Sequence, residues 1–128
     1  MPKASSTSTE PSDSPELLRG TLDMMILAAL DDRPRHGYGI TRRIEQRSGG
    51  VLGVEEGSLY PALHRMVKRG LLSAEWGTSE NNRRAKFYRL TPTGRKRLKN
   101  DRAAWVIMAE AIGGVMAGDA ARRKGATA

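Results

Sequence analysis

Apolar positions along the chain recur first in "ELLRGTLDMMILAALDD", where Leu17, Leu18, Leu22, Met25, Ile26, Ala29 and Leu30 share one helical stripe and predict a helix from Glu16. "RPRHGY" interrupts the pattern with Pro34 and Gly37. "YGITRRIEQRSGG" resumes it with Ile40 and Ile44, and Gly49 and Gly50 supply a natural stop. After the link "VLGVEE", the stretch "GSLYPALHRMVKRG" places Leu59, Ala62, Leu63 and Met66 three and four apart, a third helix closed by Gly70. Pro61 fits its first turn if the helix begins near Ser58, because the missing N–H then has no intrahelical partner to lose. If the helix begins nearer Glu55, Pro61 leaves a carbonyl free and bends the helix slightly.

The period then changes. Leu71 to Trp76 and Ala85 to Leu90 read as strands around a polar loop from Gly77 to Arg84, rich in Asn, Ser and Gly. "TPTGRKRLKNDRAAWVIMAEAIGGVMAG" opens a last helix with Thr91 as N-cap and Pro92 at the first helical position. Leu98, Trp105 and Ile112 are seven apart, as are Met108 and Val115, which makes an a/d seam that needs a partner surface. Three helices followed by a hairpin is the order of a winged helix-turn-helix. The expected fold class is therefore mainly α with a small β-hairpin wing, an α+β arrangement with one further helix.

At 128 residues this is one domain with tails. Residues 1–15 are Ser, Thr, Pro and acid, with almost nothing to bury, so a disordered tail is expected there. The net charge of +8 favours a polyanionic partner, though ribosomal, membrane-surface and merely soluble basic proteins share it, and its distribution says more than its sum. Residues 1–32 hold Lys3 and Arg19 against Glu10, Asp13, Glu16, Asp23, Asp31 and Asp32, whereas from Arg83 to Lys99 there are eight basic residues and no acid. With no Cys, disulfides and thiolate metal sites are excluded, and a reducing cytoplasm fits. No apolar run approaches membrane-spanning length, and the N-terminus lacks the apolar core of a secretory signal.

On the third helix, Ser58, Tyr60, Pro61, His64, Arg65 and Lys68 fall outside the apolar stripe, and no acid lies between Gly57 and Gly70. In a helix-turn-helix this second helix of the pair enters the major groove and its outward side chains reach base edges. Ser58 can bond a base edge or a phosphate, and Pro61 offers a rigid patch for a thymine methyl. His64 and Arg65 can donate to guanine or phosphate, and Lys68 can meet the backbone; the alternative is an ordinary solvated face. Tyr60 is either a phosphate contact or core packing. Arg83, Arg84 and Lys86 flank the flexible loop, where long cations can follow a phosphate backbone or enter a narrow minor groove; the alternative is a basic hairpin that only resists edge-to-edge pairing. Tyr38 can place its hydroxyl on a phosphate or pack on the first helix. Arg42 and Arg43 are either backbone contacts or a solvated face. His36 has no His, Cys or paired carboxylate close in sequence, so no metal site is expected, and no cofactor is implied.

"GTLDMMILAAL", "HGYGI", "GSLYPALHRMVKRGLL", "RRAKFYRLTPTG" and Trp105 together resemble the PadR-type transcriptional regulators, over Gly20 to about Val115. The resemblance implies a winged-helix homodimer on double-stranded operator DNA, usually a repressor, with the helix after the wing as the dimerisation element. Ending soon after that helix, the chain is similar to the short branch of that family, which lacks a long C-terminal domain. The implied layout is a DNA-binding domain at 16–90 and a dimerisation helix at 91–118, and the residues of "DAARRKGATA" add an expected frayed basic tail at 119–128. Leu98, Trp105, Met108, Ile112 and Val115 would then form the dimer interface. The resemblance adds a second role for Trp105: stacking a planar aromatic effector across the interface, with Met108, Ile112 and Met116 as adaptable walls.

A contrasting function is a winged-helix protein-interaction module or a non-specific architectural DNA binder, either of which predicts weak sequence preference. Enzymatic activity is not expected. Two His and no Cys leave no Ser-His-Asp spacing, no HExxH and no phosphate-cradling glycine loop. Asp31–Asp32 and Glu55–Glu56 are sequence neighbours, whose side chains point apart.

Overall fold

The elements run α1 (Glu16–Ala29), β1 (Arg35–His36), α2 (Gly37–Arg47), α3 (Glu56–Lys68), β2 (Leu72–Thr78), β3 (Arg84–Leu90) and α4 (Pro92–Thr127). This computed structural model describes residues 16–127, with side-chain surroundings for 20–119; the tail expected at 1–15 lies outside the described residues. The pattern of elements is the expected one with an added strand. Arg35–His36, inside the stretch where the helical pattern breaks, pairs antiparallel with β3, Arg35 opposite Tyr88 and His36 opposite Phe87. The wing is thus a three-stranded sheet in the order β1-β3-β2. The central strand β3 has a partner on both sides, which fastens the wing to the start of α2.

One core holds the first unit of the chain, which ends at Leu98. Ile26, Leu27 and Leu30 from α1 and the turn after it meet Ile40 and Ile44 of α2, Leu59, Leu63 and Met66 of α3, and Leu72, Tyr88 and Leu90 of the sheet. Burying side chains of this size stabilises the fold by roughly 1.5–3 kcal/mol each. Leu98 belongs to the same core at 2% exposure. This corrects its expected place in the seam of α4: a side chain already enclosed by its own chain has no area left to give a partner.

The helix ends follow from local chemistry. Gly49 and Gly70 both adopt positive φ (66° and 75°) just past the C-cap residues Ser48 of α2 and Arg69 of α3. After α3, the Gly70 N–H donates to Val67 O and the Leu71 N–H to Met66 O, the paired bonds that close a helix through a left-handed residue. The Thr91 hydroxyl accepts from the Gly94 N–H at 2.9 Å, as an N-cap should, and donates back to Gly70 O at 2.6 Å. Residue 94 must be glycine because a β-carbon there would collide with the Leu71 carbonyl. α3 begins at Glu56, so Pro61 is interior and the Gly57 carbonyl has no N–H to accept four residues on, the second of the two expected geometries.

Arg35 ties the first turn region together. Its side chain is 9% exposed; one guanidinium nitrogen donates to Ala29 O and to Asp32 Oδ1, both at 2.7 Å. The cation therefore covers a free carbonyl at the end of α1. The Arg35 guanidinium holds the Asp32 carboxyl well below its ordinary 3.8, at about 2. The second unit, from Lys99 onward, is helical backbone interrupted at Gly118 (φ 70°, ψ −163°). The helix resumes after that break to Thr127, beyond the end expected at 118.

Candidate nucleic-acid interface

The start of α2, the exposed side of α3 and the wing enclose an open cleft of about 660 Å³. Tyr38, Tyr60, His64, Arg83, Arg84 and Lys86, expected on separate grounds as DNA contacts, all line it. No Asp or Glu is among the described residues that line this cleft. His36 and Trp76 also line it and were not foreseen as part of the site.

Tyr60 both packs and is exposed. Its ring closes over Gly37 so nearly that a β-carbon on residue 37 would stand 2.8 Å from Tyr60 Cζ and closer still to its hydroxyl. The residue nevertheless keeps 38% exposure. Tyr38 is 63% exposed, which rules out packing on α1. Its hydroxyl accepts from Arg42 Nη1 at 3.0 Å, and that bond raises the Arg42 pKa. The pair forms one polar unit on the rim of α2. Arg43 is turned the other way, 3.9 Å from Asp32.

Arg65 departs from the expected outward set. Its guanidinium donates to Asp23 Oδ1 at 2.7 Å, with the Asp side chain only 16% exposed. This bond links α3 to α1 and occupies the charge that the sequence pattern left free. Ser58, Pro61, His64 and Lys68 stay exposed on α3.

His36 joins α2 to the wing tip. Its Nδ1 accepts from the Gly39 N–H at 3.0 Å, capping α2, so its Nε2 carries the proton and faces Glu80 Oε1 at 3.3 Å. Glu80's own backbone amide, and after it the His36 ring, pull the Glu80 carboxyl pKa down. The tip itself turns at Asn82 (φ 59°), held by Ser79 N–H to Arg83 O at 2.8 Å. These bonds fix the hairpin that presents Arg83 and Arg84.

Along α4, Trp105, Met108, Ile112 and Val115 are exposed, at 44%, 52%, 41% and 79%. Val106, Ile107 and Met116 extend the apolar surface. Among the described residues no group of His, Asp and Glu could hold a metal ion, and no helix is long and apolar enough to cross a membrane.

Over residues 26–100 the chain matches the family described as Transcriptional regulator PadR-like family. A transcriptional regulator of Mycobacterium tuberculosis is 35% identical over 100 residues, which cover 77% of this chain and 90% of that protein. Among solved structures, a transcriptional regulator from Clostridium thermocellum superposes with a TM-score of 0.67 at 30% identity, covering 76% of this chain and 94% of the other. A PadR-like transcriptional regulator from Bacillus cereus gives a TM-score of 0.68 at 25% identity, covering 80% and 98%.

Proposed function

The chain belongs to the PadR-like family of transcriptional regulators, and from that membership we propose that it binds operator DNA as a homodimer and represses the promoter it occupies. α3 enters the major groove. Ser58, Pro61 and His64 face base edges, and Lys68 meets the backbone. Tyr60, Tyr38 and Arg42 contact phosphates at the rim, and Arg83, Arg84 and Lys86 follow the backbone from the wing. Arg65 serves the fold through Asp23 and lies outside the contact set.

The observation that carries this reading is the cleft where cations and phenols from α2, α3 and the wing converge, with no Asp or Glu among its described lining residues. Glu80 at the wing tip faces the His36 ring, while no acid lies between Gly57 and Gly70 of α3 or from Arg83 to Lys99. The exposed seam of Trp105, Met108, Ile112 and Val115 supports α4 after Leu98 as the dimerisation element, since such a surface is unstable in water without a cover. Pairing there sets two recognition helices about one DNA turn apart. A small planar aromatic effector at Trp105 and Met108 would change that spacing and release the operator. Such a protein works in the cytoplasm, without catalysis and without cofactor.

The test is binding to a duplex from the gene's own promoter region in the presence of scrambled competitor. The expected result is a preference of about a thousandfold or more, weakening steeply with salt. Equal affinity for scrambled DNA would instead make the protein an architectural binder, and no binding to either would make it a protein-interaction module.

A further inference from the structure

Trp76 breaks the rule of its strand. On β2, Leu72, Ala74 and Trp76 alternate onto one face, and the first two sit against the core, Leu72 at 2% exposure. Continuing the period should bury the indole too, yet Trp76 is 57% exposed. Two cations stand over its ring. Lys86 stands directly opposite it on β3 with Nζ 5.8 Å from the ring centroid, and Arg84 lies diagonally across with Cζ 4.5 Å over the same ring. One indole thus serves two of the three wing cations. A guanidinium stacked by its face keeps its N–H donors, which lie in its plane, free to bond elsewhere.

We propose that Trp76 is a positioning residue of the wing: its ring holds Arg84 and Lys86 in place before DNA arrives, so that both meet the phosphate backbone with less loss of side-chain freedom. The proposal rests on the DNA-binding reading above and adds to it the residue that organises the wing. Free arginine and lysine side chains carry large rotamer entropy, which binding would otherwise remove. The indole takes part of that loss at folding. Trp76 acts through the two cations and itself makes no contact with a base.

The experiment is a double-mutant cycle on the full chain with promoter duplex. Trp76→Ala is expected to weaken binding about fivefold, because Arg84 and Lys86 both lose the exposed aromatic face that holds them. Trp76→Phe, which keeps an aromatic face, should stay within about twofold of wild type, and Trp76→Leu, which keeps bulk alone, should behave like Trp76→Ala. In the Arg84→Ala/Lys86→Ala background, removing Trp76 should cost less than about twofold, because nothing is left to position. An undiminished cost in that background would show that the indole touches DNA itself and would overturn the proposal, as would wild-type affinity in Trp76→Leu. Fluorine NMR of fluorotryptophan-labelled protein checks the stack without DNA, the Trp76 signal being assigned by its loss in Trp76→Phe. That signal should move in Arg84→Ala, and a fixed signal would overturn the proposal independently. A wild type that binds no duplex at all would remove the DNA-binding reading first, and this proposal with it.

Discussion

The Tyr60 ring of α3 lies over Gly37 at the first position of α2, where a β-carbon would stand 2.8 Å from Tyr60 Cζ. That contact fixes how closely α2 and α3 approach, and it joins a packing constraint to an exposed phenol on the cleft.

Gly37→Ala should therefore destabilise the fold by about 1–3 kcal/mol through overpacking, despite alanine's better helix propensity. Urea unfolding checks it, and Tyr60→Ala in the same chain should recover part of the loss by opening the space. A Gly37→Ala variant as stable as wild type would mean that the ring moves aside freely.

Arg65 and Lys68 should separate cleanly. Arg65→Ala breaks the partly buried bond to Asp23 and should lower stability by about 1 kcal/mol while leaving the salt dependence of DNA binding unchanged. Lys68→Ala should leave stability within about 0.5 kcal/mol and reduce the slope of log affinity against log salt by about 1. Unfolding and salt titrations on the two variants give the comparison.

Acid should act through Asp32. Its folded pKa is depressed from 3.8 to about 2 by the Arg35 guanidinium. The stability it contributes is therefore fully present above 3.8 and is lost as pH falls from 3.8 towards 2. Asp32→Asn should be less stable than wild type at pH about 6, and the gap should narrow as pH falls through that window. Urea midpoints at a series of pH values show whether it does.

On α4 the two ends of the expected seam should part company. Leu98→Ala removes a core side chain and should cost about 2–5 kcal/mol in unfolding. Trp105→Asp should leave the first unit folded and dissociate the proposed dimer, as read by sedimentation. A Trp105→Asp protein that still sediments as a dimer would move the interface elsewhere.

What could be read from the chain was whatever its near neighbours decide. The α3 stripe of Leu59, Leu63 and Met66, the Gly70 stop and the Thr91–Pro92 start each depend on residues within a turn or two. β1 escaped because two residues have no period; they become a strand only when β3 arrives beside them. Arg65 looked free because its partner Asp23 is 42 residues away. Leu98 continued a seven-residue spacing that the core claims first. Trp76 needed the hairpin register, since only Trp76 opposite Lys86 puts both cations on its ring. The candidate contacts were legible as a set of cations and phenols outside an apolar stripe; their convergence on one cleft was not, because it depends on β1 fastening the wing beside α2.

The central claim is that α3 reads bases in the major groove while the wing tracks phosphates, twice per dimer. Dimethyl sulfate protection on promoter DNA tests it most directly, because guanine N7 lies in the major groove. The expected result is two clusters of protected guanines about 10 base pairs apart, or a multiple of that spacing, lost in His64→Ala/Lys68→Ala and merely weakened in Arg83→Ala/Arg84→Ala. Binding that protects no guanine N7, or protection left intact when the α3 residues are removed, would contradict the account.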